Sequence, residues 1–158
     1  MIEIEEKLVQ TLAEMGLTIS TAESCTGGML ASTIIDVPGA SDVYSEGFIT
    51  YSDDAKMKYL KVKQDTLDTY GAVSQETVLE MAAGCTIQTG SDVAIVTSGI
   101  AGPGGGTPET PVGLVYIACA YKDTVTSKRF KFDGDRYEIR RQAVDEAVKM
   151  ALELLENQ

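Results

Sequence analysis

Val93-Ala94-Ile95-Val96-Thr97-Ser98-Gly99-Ile100-Ala101-Gly102-Pro103-Gly104-Gly105-Gly106-Thr107 decides the fold class of this chain. Val93 to Val96 is a short, wholly apolar run rich in β-branched residues, the pattern of a strand buried on both faces. It empties into a glycine-rich loop, the place where open α/β sheets put their ligands. Pro103, Pro108 and Pro111 are interleaved with the glycines and give the loop a shape rather than mere freedom. No Gly-Lys-Ser/Thr follows, so the loop is not a Walker A motif. Thr107 stands where the last glycine of GxGxxG would be and a strand follows, so it is not the dinucleotide fingerprint either.

Working outward, residues 114–121 and 124–132 read as a hairpin joined around Lys122-Asp123. Ile139, Ala143, Val144, Ala147, Met150, Ala151 and Leu154 mark a long C-terminal amphipathic helix after the turn Asp133-Gly134-Asp135. Arg136 and Arg140 are four residues apart near its start and share a face. Cations there oppose the helix dipole, which makes both candidates for meeting an anion. Upstream, residues 75–86 read as a helix capped by Ser74, and 64–70 and 53–60 as shorter ones. At the N-terminal end, Ile4, Leu8, Leu12 and Met15 stripe a helix over 2–15 that Gly16 stops, and 17–22 alternates like a strand. Residues 29–35 continue as a helix. This alternation of strands and helices predicts a single α/β domain over 1–158, a three-layer α/β/α sandwich on a mixed β-sheet.

Two further stretches carry chemistry. Thr21-Ala22-Glu23-Ser24-Cys25-Thr26-Gly27-Gly28 is a strand-to-helix junction crowded with small hydroxyls and glycines. Gly27-Gly28 lets a ligand approach the backbone, and the free amides of the following helix suit an anion. Gly39 to Lys56 runs from the Pro38-Gly39 turn through a polar linker and a strand over 47–51 into a helix start. It gathers Ser41, Tyr51 and Lys56. With no histidine in the chain, a serine activated by a lysine is one of the few nucleophilic arrangements left open.

Composition sets the outer limits. A length of 158 residues supports a sizeable core, and 44% hydrophobic with 23% charged residues is ordinary for a globular domain. The net charge of −11 argues against a nucleic-acid partner. No apolar run approaches a membrane span. The acidic start Met1-Ile2-Glu3-Ile4-Glu5-Glu6 is unlike a secretory leader. Cys25, Cys85 and Cys119 have neither disulfide nor zinc spacing, so a reducing cytoplasmic setting is expected. Cys25 is a rival nucleophile by position, but without a histidine to pair with it a buried core thiol is the simpler role.

Ala22-Glu23-Ser24-Cys25-Thr26-Gly27-Gly28, Gly47 to Lys56, Gly71-Ala72-Val73-Ser74, Ser98 to Pro103, Pro111-Val112-Gly113 and Gly134-Asp135-Arg136 through Arg141, in this order, resemble the CinA C-terminal domain family. Its stand-alone members are nicotinamide-nucleotide amidohydrolases. The resemblance covers nearly the whole chain. It implies hydrolysis of the carboxamide of nicotinamide mononucleotide, a small-molecule nucleotide, to the acid and ammonia by a serine nucleophile assisted by lysine and tyrosine, with no metal and no cofactor. Carried over, it places the nucleophile at Ser41 with Tyr51 and Lys56 as partners. Ser24, Thr26, Gly27, Thr97, Ser98, Gly102, Gly104, Arg136 and Arg140 become the binding or supporting residues. Thr110 stands where the family often has Lys, and Asp53 where it often has Asn. These two positions keep open an alternative, a catalytically silent nucleotide-binding or regulatory module of the same family. A homodimer is compatible with a domain of this size.

Overall fold

Alternation along the central strands sorts side chains by size. In the computed structural model, which describes residues 1–157, the strands are β1 (Ile19–Glu23), β2 (Tyr44–Ile49), β3 (Val93–Gly99), β4 (Leu114–Tyr121) and β5 (Thr124–Lys131). Ile19, Val93, Ile95, Val115, Ile117 and Cys119 point to one face and belong to the larger of two core clusters. Ala22, Ala94, Ala118 and Ala120 point to the other face and belong to the smaller cluster. This is the period-2 consequence of extended backbone.

The helices are α1 (Ile4–Met15), α2 (Met29–Ile35), α3 (Asp53–Leu60), α4 (Gln64–Tyr70), α5 (Gln75–Thr89) and α6 (Arg136–Glu156). The bulky face is covered by α1, α2 and α6, whose Leu8, Leu12, Leu30, Ile34, Ile139 and Val144 join the larger cluster. The alanine face is covered by α5, with α3 and α4 leaning on it. Small side chains let α5 lie close, and α5 itself carries Gly84 where the Leu60 carbonyl would meet a Cβ. The result is the expected three-layer α/β/α sandwich with a mixed sheet.

Strand order is β2-β1-β3-β4-β5. β1 is parallel to both β2 and β3, whereas β3–β4 and β4–β5 are antiparallel. The chain leaves β1 through α2 on one face to reach β2, then returns through α3, α4 and α5 on the other face to reach β3. The connection leaving β1 turns toward β2 and the one leaving β3 turns the opposite way to β4, so the chain diverges at the carboxyl ends of β1 and β3, the switch point where open α/β sheets bind ligands.

Two local expectations are corrected. The strand read over 47–51 is Tyr44–Ile49, and the supposed linker before it holds a 3-10 turn at Ala40–Asp42 and the first half of β2. The pattern misled because Gly47 is internal to the strand: a Cβ there would strike the Tyr44 phenol and come within 2.6 Å of Thr21 Oγ1. The helix read over 75–86 continues to Thr89, where Gly90 takes the left-handed conformation that stops it.

Candidate functional site

The site begins at the end of β1. Glu23 is the last strand residue and only 1% exposed, and its carboxylate accepts from the Leu30 amide (2.9 Å), the Ala31 amide (3.1 Å) and Thr26 Oγ1 (2.6 Å). The junction was expected to offer the free amides of α2 to an anionic ligand. Glu23 already fills that place, so the helix start is satisfied from within the chain. Thr26 Oγ1 also lies 2.8 Å from Thr97 Oγ1 on β3, and the Ser24 amide donates to the Thr97 carbonyl at 3.0 Å. Gly27 and Gly28 both have positive φ, +55° and +101°, which turns the chain abruptly into α2.

Lys56 comes to this turn from the other face of the sheet. Thr50 continues β2 by donating its amide to the Glu23 carbonyl (2.8 Å), and Ser52 caps α3 by accepting from the Ala55 amide (3.1 Å). One turn into α3, Lys56 lies 1% exposed, its Nζ donating to the Thr50 carbonyl at 2.7 Å and to Ser24 Oγ at 3.1 Å. Burial lowers the ammonium pKa from the ordinary lysine value of 10.5, while the negative charge of Asp53 and, where it ionises, the Cys25 thiolate push the other way. Desolvation drives the neighbouring Cys25 thiol up to about 12, so it stays protonated near neutrality, and its sulfur is no nucleophile.

Around this pair is a cleft of about 290 Å³ lined by Ser24, Tyr51, Asp53, Lys56, Ser98 and Arg136 among others. Arg136 reaches across it, donating to the Gly102 carbonyl at 2.7 Å and to the Tyr51 phenol at 3.1 Å. Ser98 Oγ donates to the Ala72 carbonyl (2.9 Å), which ties β3 to the loop before α5. The amides of Cys25 and Ala101, both in the lining, donate to no backbone or side-chain oxygen among the described residues.

Several expectations about individual residues change. Ser41 does not meet Lys56. It lies exposed on the 3-10 turn and borders a separate surface cleft with Ile35, Val37, Pro38 and Tyr44, which shares no residue with the first. The hydroxyl beside Lys56 is that of Ser24. Sequence proximity pointed to Ser41 because the two share a segment, but the parallel pairing of β1 with β2 carries the other serine to the amine. Tyr51 lines the cleft, yet its phenol accepts from Arg136 and bonds to neither Ser24 nor Lys56.

Arg140 turns away from the cleft: its Nε donates to the Cys25 carbonyl (2.9 Å) and an Nη to the Thr26 carbonyl (3.0 Å). Thr26, Gly27 and Thr97 support the turn from behind. Gly102 contributes its carbonyl to Arg136, and Gly104 lies exposed outside the lining. Glu23 and the Thr50 carbonyl were not singled out at all. The only signal for Glu23 is a carboxylate in an otherwise small, uncharged strand end, and backbone carbonyls leave no trace in a sequence.

Comparisons with known proteins give the family and the fold. Residues 1–155 match the CinA C-terminal domain. A CinA-like protein of Kosmotoga olearia is 51% identical over 140 residues, which is 89% of this chain and 34% of that protein. The crystal structure of a competence-damaged protein (CinA) superfamily protein from Klebsiella pneumoniae 700603 superposes with a TM-score of 0.95 at 36% identity, covering 98% of this chain and 97% of that one. The competence/damage inducible protein of Agrobacterium tumefaciens gives a TM-score of 0.92 at 41% identity, covering 99% and 98%. This is an α/β/α domain with a serine–lysine pair at its switch point. The chain belongs to the CinA C-terminal domain family and spans about a third of the length of the curated relatives it matches.

Proposed function

We propose that this domain is an amidohydrolase whose nucleophile is Ser24 and whose general base is Lys56, acting on the carboxamide of nicotinamide mononucleotide. The observation that carries the reading is the 3.1 Å contact between Lys56 Nζ and Ser24 Oγ in a cleft, with the amine buried and its pKa lowered. The family resemblance supplies the substrate.

The chemistry follows from the groups present. A neutral Lys56 amine takes the Ser24 proton as Oγ attacks the carboxamide carbon, and the Thr50 carbonyl holds one N–H so that the lone pair faces the serine. Charge then gathers on the substrate oxygen, where the amides of Cys25 and Ala101, which donate to no oxygen among the described residues, are available as donors. The Lys56 ammonium returns its proton to the departing nitrogen and ammonia leaves, which completes an acyl-enzyme. Water, deprotonated by Lys56, attacks the ester, and the carboxylic acid is released as Ser24 recovers its proton. Arg136 at the cleft wall is the cation for the 5′-phosphate. A cavity of about 290 Å³ suits a ligand of this size, at the small end of the usual range of roughly 300–1,000 Å³.

The test is ammonia release from nicotinamide mononucleotide by wild type beside Ser24→Ala. Turnover that falls by about 10³-fold or more in the variant, with the fold intact, is the expected result. Undiminished turnover in Ser24→Ala would sink the assignment of the nucleophile.

A further inference from the structure

Glu23 and Arg140 take no part in the steps above, yet both are directed at the turn that carries Ser24. We propose that they are positioning residues which clamp this turn through separate groups, one holding side-chain and amide donors and the other carbonyls, and so fix the Ser24 hydroxyl and the Cys25 amide; the proposal rests on Ser24 being the nucleophile.

The Glu23 carboxylate gathers Thr26 Oγ1 and two amides of α2, so a single buried group ties the turn to the helix that follows it. No basic side chain pairs with that carboxylate among the described residues, so the three donors hold it. Arg140 holds two consecutive carbonyls, those of Cys25 and Thr26. A trans peptide is planar with its N–H and C=O opposed, so holding a carbonyl also aims the amide of the next residue. Fixing the Thr26 carbonyl therefore aims the Gly27 amide, which donates to the Ser24 carbonyl at 3.1 Å. Fixing the Ser24 carbonyl in turn aims the Cys25 amide, one of the two cleft amides that donate to no oxygen among the described residues. The guanidinium so acts on the proposed oxyanion donor through two peptide planes without touching the cleft. Gly27 belongs to the same device: a Cβ there would stand 3.4 Å from the Arg140 Nη, at a φ of +55° that other residues rarely adopt.

This reading competes with the idea that Arg140 binds substrate phosphate, and the two separate cleanly. A lost phosphate ligand raises KM for the nucleotide. A loosened clamp lowers kcat, because displacements near 1 Å at a reacting group cost up to about 100-fold, and leaves KM near its wild-type value. The experiment measures kcat and KM for nicotinamide mononucleotide in wild type, Glu23→Gln, Arg140→Met and Arg136→Met. Beside them it measures the rate at which a small fluorophosphonate, which carries no nucleotide, labels each protein. Circular dichroism confirms that each variant is folded at the assay temperature. Glu23→Gln is the conservative probe: the shape stays, but an NH₂ replaces the oxygen that accepts from Ala31.

The expected result is a fall of roughly 10- to 100-fold in both kcat and labelling rate for Glu23→Gln and Arg140→Met, with KM within about twofold of wild type. For Arg136→Met, KM rises and labelling is preserved. A rise in KM for Arg140→Met with unchanged kcat and labelling overturns the proposal and returns Arg140 to the role of anion ligand. Folded variants with wild-type kcat and labelling also overturn it. If wild type labels at Ser24 but does not turn over the nucleotide, the substrate assignment fails, and the labelling rates alone decide the clamp. A wild type that neither labels nor turns over overturns both.

Discussion

A buried lysine is expensive unless it is neutral, and that single fact ties stability to activity at Lys56. The folded pKa lies below 10.5, so the folded state binds the proton less readily than the unfolded chain does. The penalty for a protonated Lys56 is complete below the folded pKa, shrinks as pH rises through the interval, and vanishes above 10.5, where both states are neutral. Lys56→Met is therefore expected to lose activity by about 10³-fold or more while its stability relative to wild type is most favourable at low pH and declines on the way to pH 10.5. Paired thermal melts across that range check the sign; a relative stability that climbs with pH contradicts the lowered pKa. The same lowered value predicts that wild-type turnover rises with pH on its acid limb, as the amine becomes available as a base. Ser41→Ala, far from the cleft, is expected to turn over within about twofold of wild type, in contrast to Ser24→Ala, as initial rates would reveal.

At the scale of elements, two sites make predictions about stability alone. Gly84 on α5 faces the Leu60 carbonyl at the end of α3, where an added Cβ collides with backbone that has no rotamer to escape into. Gly84→Ala is expected to destabilise by about 1–3 kcal/mol despite its better helix propensity, visible as a lower urea midpoint at unchanged slope. Asp135 opens α6 with a reciprocal capping box, accepting from the Glu138 amide at 2.8 Å while Glu138 accepts from the Asp135 amide at 3.0 Å. Asp135→Ala is expected to cost about 1 kcal/mol in the same measurement. These elements are also where sequence reading succeeded and where it stopped. The spans of α3 and α4 follow from composition and caps, and Ser74 was legible as the cap of α5, where its Oγ accepts from the Thr77 amide. β2 was misplaced because it is an edge strand with little burial and an internal glycine, so it lacks the alternation that marks a strand.

For the whole molecule, which serine meets Lys56 is the part a one-dimensional reading could not deliver. Ser24 and Lys56 are 32 residues apart, and only the parallel pairing of β1 with β2 brings them to 3.1 Å. Ser41 is nearer to Lys56 along the chain yet borders a separate cleft. Likewise Arg140 was legible as a cation on the right helix face, but the carbonyls it holds were not. Charge acts at this scale too. With a net charge of −11 the chain repels an anionic nucleotide at long range, while contacts inside the cleft are screened far less. KM for the nucleotide is therefore expected to fall modestly as ionic strength rises from about 10 to 150 mM, where the Debye length shrinks from about 30 to 8 Å; a steep rise in KM instead would mean that exposed cations dominate capture. The most direct test of the central claim is to label the protein with a fluorophosphonate and locate the adduct by peptide mass spectrometry. The account predicts one adduct, on Ser24, formed faster as pH rises and abolished in Lys56→Met. An adduct on Ser41, or labelling of Ser24 that survives the loss of Lys56 unchanged, would contradict it.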